Sequence, residues 1–195
     1  YHLRSIDLMG DLLQTFSNCF ETEPSNQPGL LHEVNEQYFK RVEALEFTLN
    51  HDDGKNLASL DAADIILVGI SRTSKTPLSI YLSLEGYKIV NIPMINGINL
   101  PEKIHSIDQK KIFGLTIDLD ALYRIRQNRL ERLGFSERPS DYADKNKLED
   151  EINWANKIFN ENKRWPIINV TEKAVEEIAA EIIKIIHMRS EKRFS

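Results

Sequence analysis

The chain has 195 residues, 41% of them apolar and 28% charged, with a formal net charge of −5. That is enough to bury one good core, and it lacks the basic surface that nucleic acid or an anionic membrane demands of a dedicated partner. The single cysteine, Cys19, excludes an internal disulfide and a thiolate zinc site, and no run approaches the roughly 20 apolar residues of a bilayer span, so the chain reads as cytoplasmic.

Leu8, Leu12 and Leu13 stand at helical spacing within residues 1–18, and "ETEPSNQPGLLH" then breaks the pattern with Pro24, Pro28 and Gly29. Tyr38, Val42, Leu45 and Leu49 predict one apolar face of a second helix, which ends at "HDDG", where Gly54 suits a helix stop. Residues 64–94, "DIILVGISRTSKTPLSIYLSLEGYKIVNIPM", read as strand, tight polar loop, helix and strand. A strand follows over 111–118, then an Arg-rich helix, "LDALYRIRQNRLERLG", a loop with Pro139, and a helix with Leu148, Ile152, Ala155 and Phe159 on one face. "PIINV" reads as a strand. The closing helix aligns Val175, Ile178, Ala179, Ile182, Ile183 and Ile186, with Thr171 as the expected N-cap and "RSEKRFS" as a frayed tail. Strands alternating with helices predict an α/β fold with a mostly parallel sheet flanked by helices. The expected division is an N-terminal helical arm over 1–55, a core over 56–188 and a tail over 189–195.

The chemistry concentrates in "GISRTSKT". In a phosphate loop, backbone amides curl around an anion at a helix N-terminus, a lysine reaches the outer phosphates and a hydroxyl ligates magnesium. Gly69, Lys75 and Thr76 have the required spacing between a strand and a helix, but Ser74 stands where such loops carry a second glycine. A Ser/Thr-rich turn without a ligand would look similar. Gly69, Ile70, Ser71, Arg72, Thr73, Ser74, Lys75 and Thr76 are the candidate nucleotide and phosphate residues.

Asp52 and Asp53 are candidates for a general base or for holding magnesium through water, and an Asp-Gly turn is the structural alternative. Arg126 and Arg129, three apart with Arg132 continuing the row, are candidate cations for a transferring phosphoryl group. They would serve equally as a solvated helix face paired with Glu131 and Asp120. Asp118, with Thr76, is a candidate on the magnesium side, or else the cap of the Arg-rich helix.

Taken together and in order, "YFKRVEALEFTLNHDDG", residues 63–94, "IFGLTID", "IRQNRL" and "VTEKAVEEIAAEI" resemble the pyruvate, phosphate dikinase and phosphoenolpyruvate synthase regulatory proteins, from about Ile6 to Ile186. "SRTSKTPLS" looks like the dikinase branch, so Ser74 reads as a branch feature. The resemblance implies a phosphate-loop kinase-like core and a bifunctional enzyme. An ADP-dependent serine/threonine kinase activity would phosphorylate an active-site threonine of the target, and a phosphate-dependent phosphorylase activity would remove that group as pyrophosphate. It also implies ADP, inorganic phosphate and Mg2+ as ligands, the target dikinase or synthase as protein partner, and an N-terminal segment ahead of the region matching Ile6. Under it Asp52, Asp53, Lys75, Arg126 and Arg129 become the expected catalytic set. A small-molecule kinase of the shikimate or adenylate type and a non-catalytic nucleotide-binding module remain as alternatives, and a homo-oligomer is left open.

Overall fold

The structure, a computed structural model, describes residues 9–23, 35–134 and 141–191. The loops predicted around Pro24, Pro28, Gly29 and Pro139 and the last four residues of the tail lie outside them. Two compact units are present, Tyr1–Asn35 and Glu36–Ser195. In the first, α1 (Gly10–Phe20) is amphipathic and buries none of its residues within the unit.

The second unit contains α2 (Glu36–Asn50), β1 (Ile65–Gly69), α3 (Lys75–Leu84), β2 (Ile89–Pro93), β3 (Ile112–Thr116), α4 (Leu119–Arg132), α5 (Lys145–Glu161), β4 (Ile167–Asn169) and α6 (Val175–Glu191). The strands form one parallel sheet in the order β2-β1-β3-β4. Every residue of β1 is buried, as a central parallel strand covered by helices requires. α3 packs on α2 and α6, while α4 and α5 pack together and α5 reaches β3. The chain leaves β1 for β2 on one side and then returns to β3 on the other. This reversal opens a crevice at the carboxyl ends of β1 and β3, the usual ligand position in such sheets.

α2 turns a different face inward from the one its apolar spacing predicts. Tyr38, Val42 and Leu49 are exposed, whereas Ala44 and Thr48 are buried. The reason lies at the open edge of β2, whose outward amides need acceptors. Ile89 N donates to Thr48 Oγ1 (3.1 Å) and Asn91 N donates to the His51 carbonyl (3.2 Å). A small Ala44 and a hydroxyl-bearing Thr48 serve that edge better than a leucine would.

Two further expectations are corrected. Thr171 does not cap α6, because its hydroxyl accepts from Asp118 N (2.9 Å) and a left-handed Glu172 (φ 56°) intervenes before Val175. Residues 189–191 continue α6, and Arg189 donates to the carbonyls of Lys110 and Arg164.

Candidate phosphate-loop site

Gly69 ends β1 where a side chain has no room. A Cβ there would lie 2.8 Å from the Leu115 carbonyl and 2.9 Å from Thr73 Oγ1. The loop then bends through two left-handed residues, Arg72 (φ 72°) and Ser74 (φ 59°), and buried Thr73 ties it by donating to the Ile70 carbonyl (2.9 Å). Left-handed residues in such a loop turn successive amides toward one point, forming an anion nest in front of the α3 N-terminus. Ser74 occupies the position where glycine would be unstrained, and its side chain makes no capping bond.

Lys75 is only 7% exposed and donates Nζ to the Ile70 carbonyl (2.8 Å). Burial pushes its ammonium down to about 8, against the opposing pull of Asp53, Asp52 and Glu151.

"HDDG" is brought to this loop by the edge of β2. The His51 carbonyl holds Asn91 N, and the His51 ring stacks on Phe47 at 3.9 Å with Nδ1 donating to the Phe47 carbonyl (2.7 Å). Gly54 (φ 76°) closes the turn against Pro93, whose Cδ would lie 3.3 Å from an added Cβ. Asp52 accepts from Asn91 Nδ2 (2.6 Å) and, at longer range, from the Thr76 hydroxyl (3.3 Å). A cavity of about 470 Å³ results, lined by Asp52, Asp53, Ser71, Arg72, Ser74, Lys75, Thr76, Pro77, Asn91 and Ile125.

The remaining predicted residues separate. Asp118 does not line this cavity; its carboxylate accepts from Asn169 Nδ2 (2.9 Å) beside β4. Arg126 and Arg129 do not share an environment, because Arg129 is exposed while Arg126 is 4% exposed. Arg126 makes a two-pronged pair with Glu151, both contacts at 2.9 Å, and donates to the carbonyls of Tyr142 (3.2 Å) and Ser71 (3.3 Å). It therefore braces the loop from behind. Arg72 Nε donates to the Tyr142 hydroxyl (2.8 Å), which braces the loop a second time.

Removing Glu151 tests this brace. Glu151→Ala leaves a buried guanidinium without its counter-charge and is expected to cost about 3–5 kcal/mol, whereas replacing both partners with apolar residues of similar volume should recover most of that. Urea unfolding of the two variants checks it, and a loss below about 1 kcal/mol would show the pair to be solvated.

Asn91 is the residue that sequence reasoning missed. Its signal was available, as the lone polar side chain in the apolar run "IVNIPM". Buried at 3% exposure, it fixes Asp52 over the loop.

A parallel sheet flanked by helices, with a tight loop at its reversal point and Asp52 and Asp53 lining one cavity with the loop lysine, has the α/β architecture of a phosphate-loop kinase-like core. The chain belongs to the Kinase/pyrophosphorylase family, whose model matches residues 1–183. It is 52% identical over 183 residues to a protein of Bdellovibrio bacteriovorus named as a pyruvate, phosphate dikinase regulatory protein, covering 94% of this chain and 65% of that one. A Geobacter metallireducens protein of the same name is 48% identical over 182 residues (93% and 67%). Pyruvate, phosphate dikinase regulatory protein 1, chloroplastic, of Arabidopsis thaliana is 43% identical over 196 residues (99% and 49%). The chain thus spans about two thirds of the length of these bacterial relatives and about half that of the plant one. Among the described residues, no helix is long and apolar enough to cross a membrane.

Proposed function

We propose that this chain carries the phosphotransfer site of a regulator of pyruvate, phosphate dikinase, using ADP to phosphorylate a threonine of the target and inorganic phosphate to remove that group as pyrophosphate. The observation that carries the reading is the convergence of Asp52 and Asp53 with Lys75 and the loop residues Ser71, Arg72, Ser74 and Thr76 on one cavity. The relatives' names supply the target.

In the forward direction the threonine oxygen attacks the β-phosphorus of ADP while its proton passes to an aspartate. The bond from that phosphorus to the bridging oxygen breaks, and AMP leaves. In reverse, an oxygen of inorganic phosphate attacks the phosphothreonine phosphorus, and the departing threonine oxygen regains a proton from the same carboxyl group. The ammonium of Lys75 and the loop amides offset charge on the transferring group in both directions.

The adjacent Thr76 hydroxyl and Asp52 carboxylate are hard oxygen donors, and magnesium typically takes one or two such protein ligands beside phosphate and water. These two residues would hold the ion, which would neutralise phosphate charge.

The test incubates the chain with ADP and target, and separately with phosphorylated target and inorganic phosphate. Threonine phosphorylation in the first and pyrophosphate release in the second are expected. A small-molecule kinase would release no pyrophosphate, and a binding module would take up ADP without turnover.

The loop's departure from the usual pattern gives a second expectation. Ser74→Gly relieves a left-handed Cβ of roughly 1 kcal/mol and adds unfolded-state entropy of similar size, so stability should hardly change. ADP affinity should stay within about tenfold, since the backbone amide is retained. Calorimetric titration decides it, and a hundredfold loss would make the serine hydroxyl a ligand.

A further inference from the structure

The α4 side of the phosphate loop holds a second cavity, of about 260 Å³, lined by Arg72, Ile125, Asn128, Arg129 and Arg132. It adjoins the first, with Arg72 and Ile125 in both linings. The other arginines of α4 are paired, Arg124 with Glu172 and Arg126 with Glu151. Arg72, Arg129 and Arg132 have no carboxylate partner among the described residues.

Arg129 and Arg132 lie in the last turn of α4, where they offset the helix dipole. That role does not require a third guanidinium, from the phosphate loop, to face the same cavity. Gathering three like charges is unfavourable unless an anion joins them, and planar guanidinium forks match phosphate oxygens.

Topology supplies the direction. Asp52 is held by Asn91 of β2, the loop rises from β1, and α4 follows β3, in a sheet ordered β2-β1-β3-β4. The carboxylates and the arginine cavity therefore flank the phosphate loop on opposite sides. In-line phosphoryl transfer also has two sides, with the acceptor oxygen at one and the leaving group at the other. If the aspartates face the acceptor, the arginines face the phosphate that is not transferred.

We propose that Arg72, Arg129 and Arg132 form a subsite for this non-transferred phosphate, the α-phosphate of ADP in one direction and free inorganic phosphate in the other. The inference rests on the phosphotransfer reading above. Inorganic phosphate is mostly a dianion above its second ionisation, whereas the α-phosphate inside ADP carries one charge. Coulombic energy scales with charge, so the loss on removing arginines should be roughly halved in energy for ADP, and its fold-change reduced to about the square root.

The test titrates inorganic phosphate and ADP separately into the wild-type chain, Arg129→Gln/Arg132→Gln and Arg129→Lys/Arg132→Lys by calorimetry at fixed ionic strength. The glutamine pair is expected to weaken inorganic phosphate by about ten- to hundredfold and ADP by about three- to tenfold, and the lysine pair to restore part of both. Both side chains are exposed, so an unchanged melting temperature confirms the fold. Phosphate affinity within about threefold of wild type, or a larger loss for ADP than for phosphate, overturns the subsite. Lys75→Ala, titrated alongside, separates the two claims. If it loses ADP while the glutamine pair loses nothing, only the subsite fails; if it keeps ADP affinity, the phosphotransfer reading fails.

Discussion

Lys75→Ala is expected to abolish both directions of phosphotransfer while leaving a folded protein. The lysine is the cation proposed to meet the phosphate at this loop, and in this structure its Nζ donates to the Ile70 carbonyl. Losing a donor aimed at a transferring phosphoryl group costs on the order of 10²- to 10³-fold in rate, and a shared site makes both activities fall together. Retention of either activity within about tenfold of wild type, measured as phosphothreonine formation and pyrophosphate release, would break the single-site account.

The same residue sets a pH signature. Its folded value of about 8 lies below the ordinary 10.5, so between these values the unfolded chain binds more protons than the folded one. The burial penalty is therefore present in full below about 8, and stability contributed by this group rises as pH climbs through the window. Ligand binding has the opposite sign, because a phosphate anion holds the ammonium charged. ADP affinity should fall as pH rises above about 8, by at most tenfold per unit, and Lys75→Arg, always protonated, should flatten that fall. Titrations from about pH 7 to pH 9.5 measure the slope, and a flat wild-type profile would show that Lys75 keeps its charge without a ligand.

Much of the sheet was legible because buried parallel strands are continuous apolar runs, and "DIILVG", "YKIVNIP" and "KIFGLT" stand out between helical patterns. The loop was legible because its spacing is local. What spacing could not show was the inward face of α2, since a sheet edge in need of acceptors chose Thr48 over the more apolar face. Nor could it separate Arg126 from Arg129. A three-residue offset places both on one side of a helix, and only the packing of α5 with its Glu151 turns one into a buried brace while the other faces solvent. Asp118 sits at a strand end like many metal-side acids, yet Asn169 from the neighbouring strand claims its carboxylate. The partners in all three cases are distant in sequence, and periodicity carries no information about them.

The two aspartates of "HDDG" are expected to divide the chemistry, with Asp53→Asn binding ADP like wild type but transferring phosphate about 10²- to 10⁴-fold more slowly, the range a positioned general base supplies. Asp52 is tethered through Asn91 Nδ2 and the Thr76 hydroxyl, a fixed arrangement suited to holding an ion. Asp53 lines the same cavity from a left-handed backbone (φ 56°), and its carboxylate acts on the Lys75 ammonium through charge while accepting no hydrogen bond from the described residues, which leaves its oxygens free for an acceptor hydroxyl. Asparagine tolerates the left-handed region, so Asp53→Asn should keep the turn and the melting temperature. Asp52→Asn should instead raise the magnesium concentration needed for half-maximal activity, with a smaller rate loss at saturating metal. If "HDDG" were only a helix-ending turn, both variants would lose some stability and keep full turnover. Single-turnover phosphotransfer, magnesium titration and thermal melts on the same samples separate these outcomes, and full turnover by both variants would return the pair to a structural role.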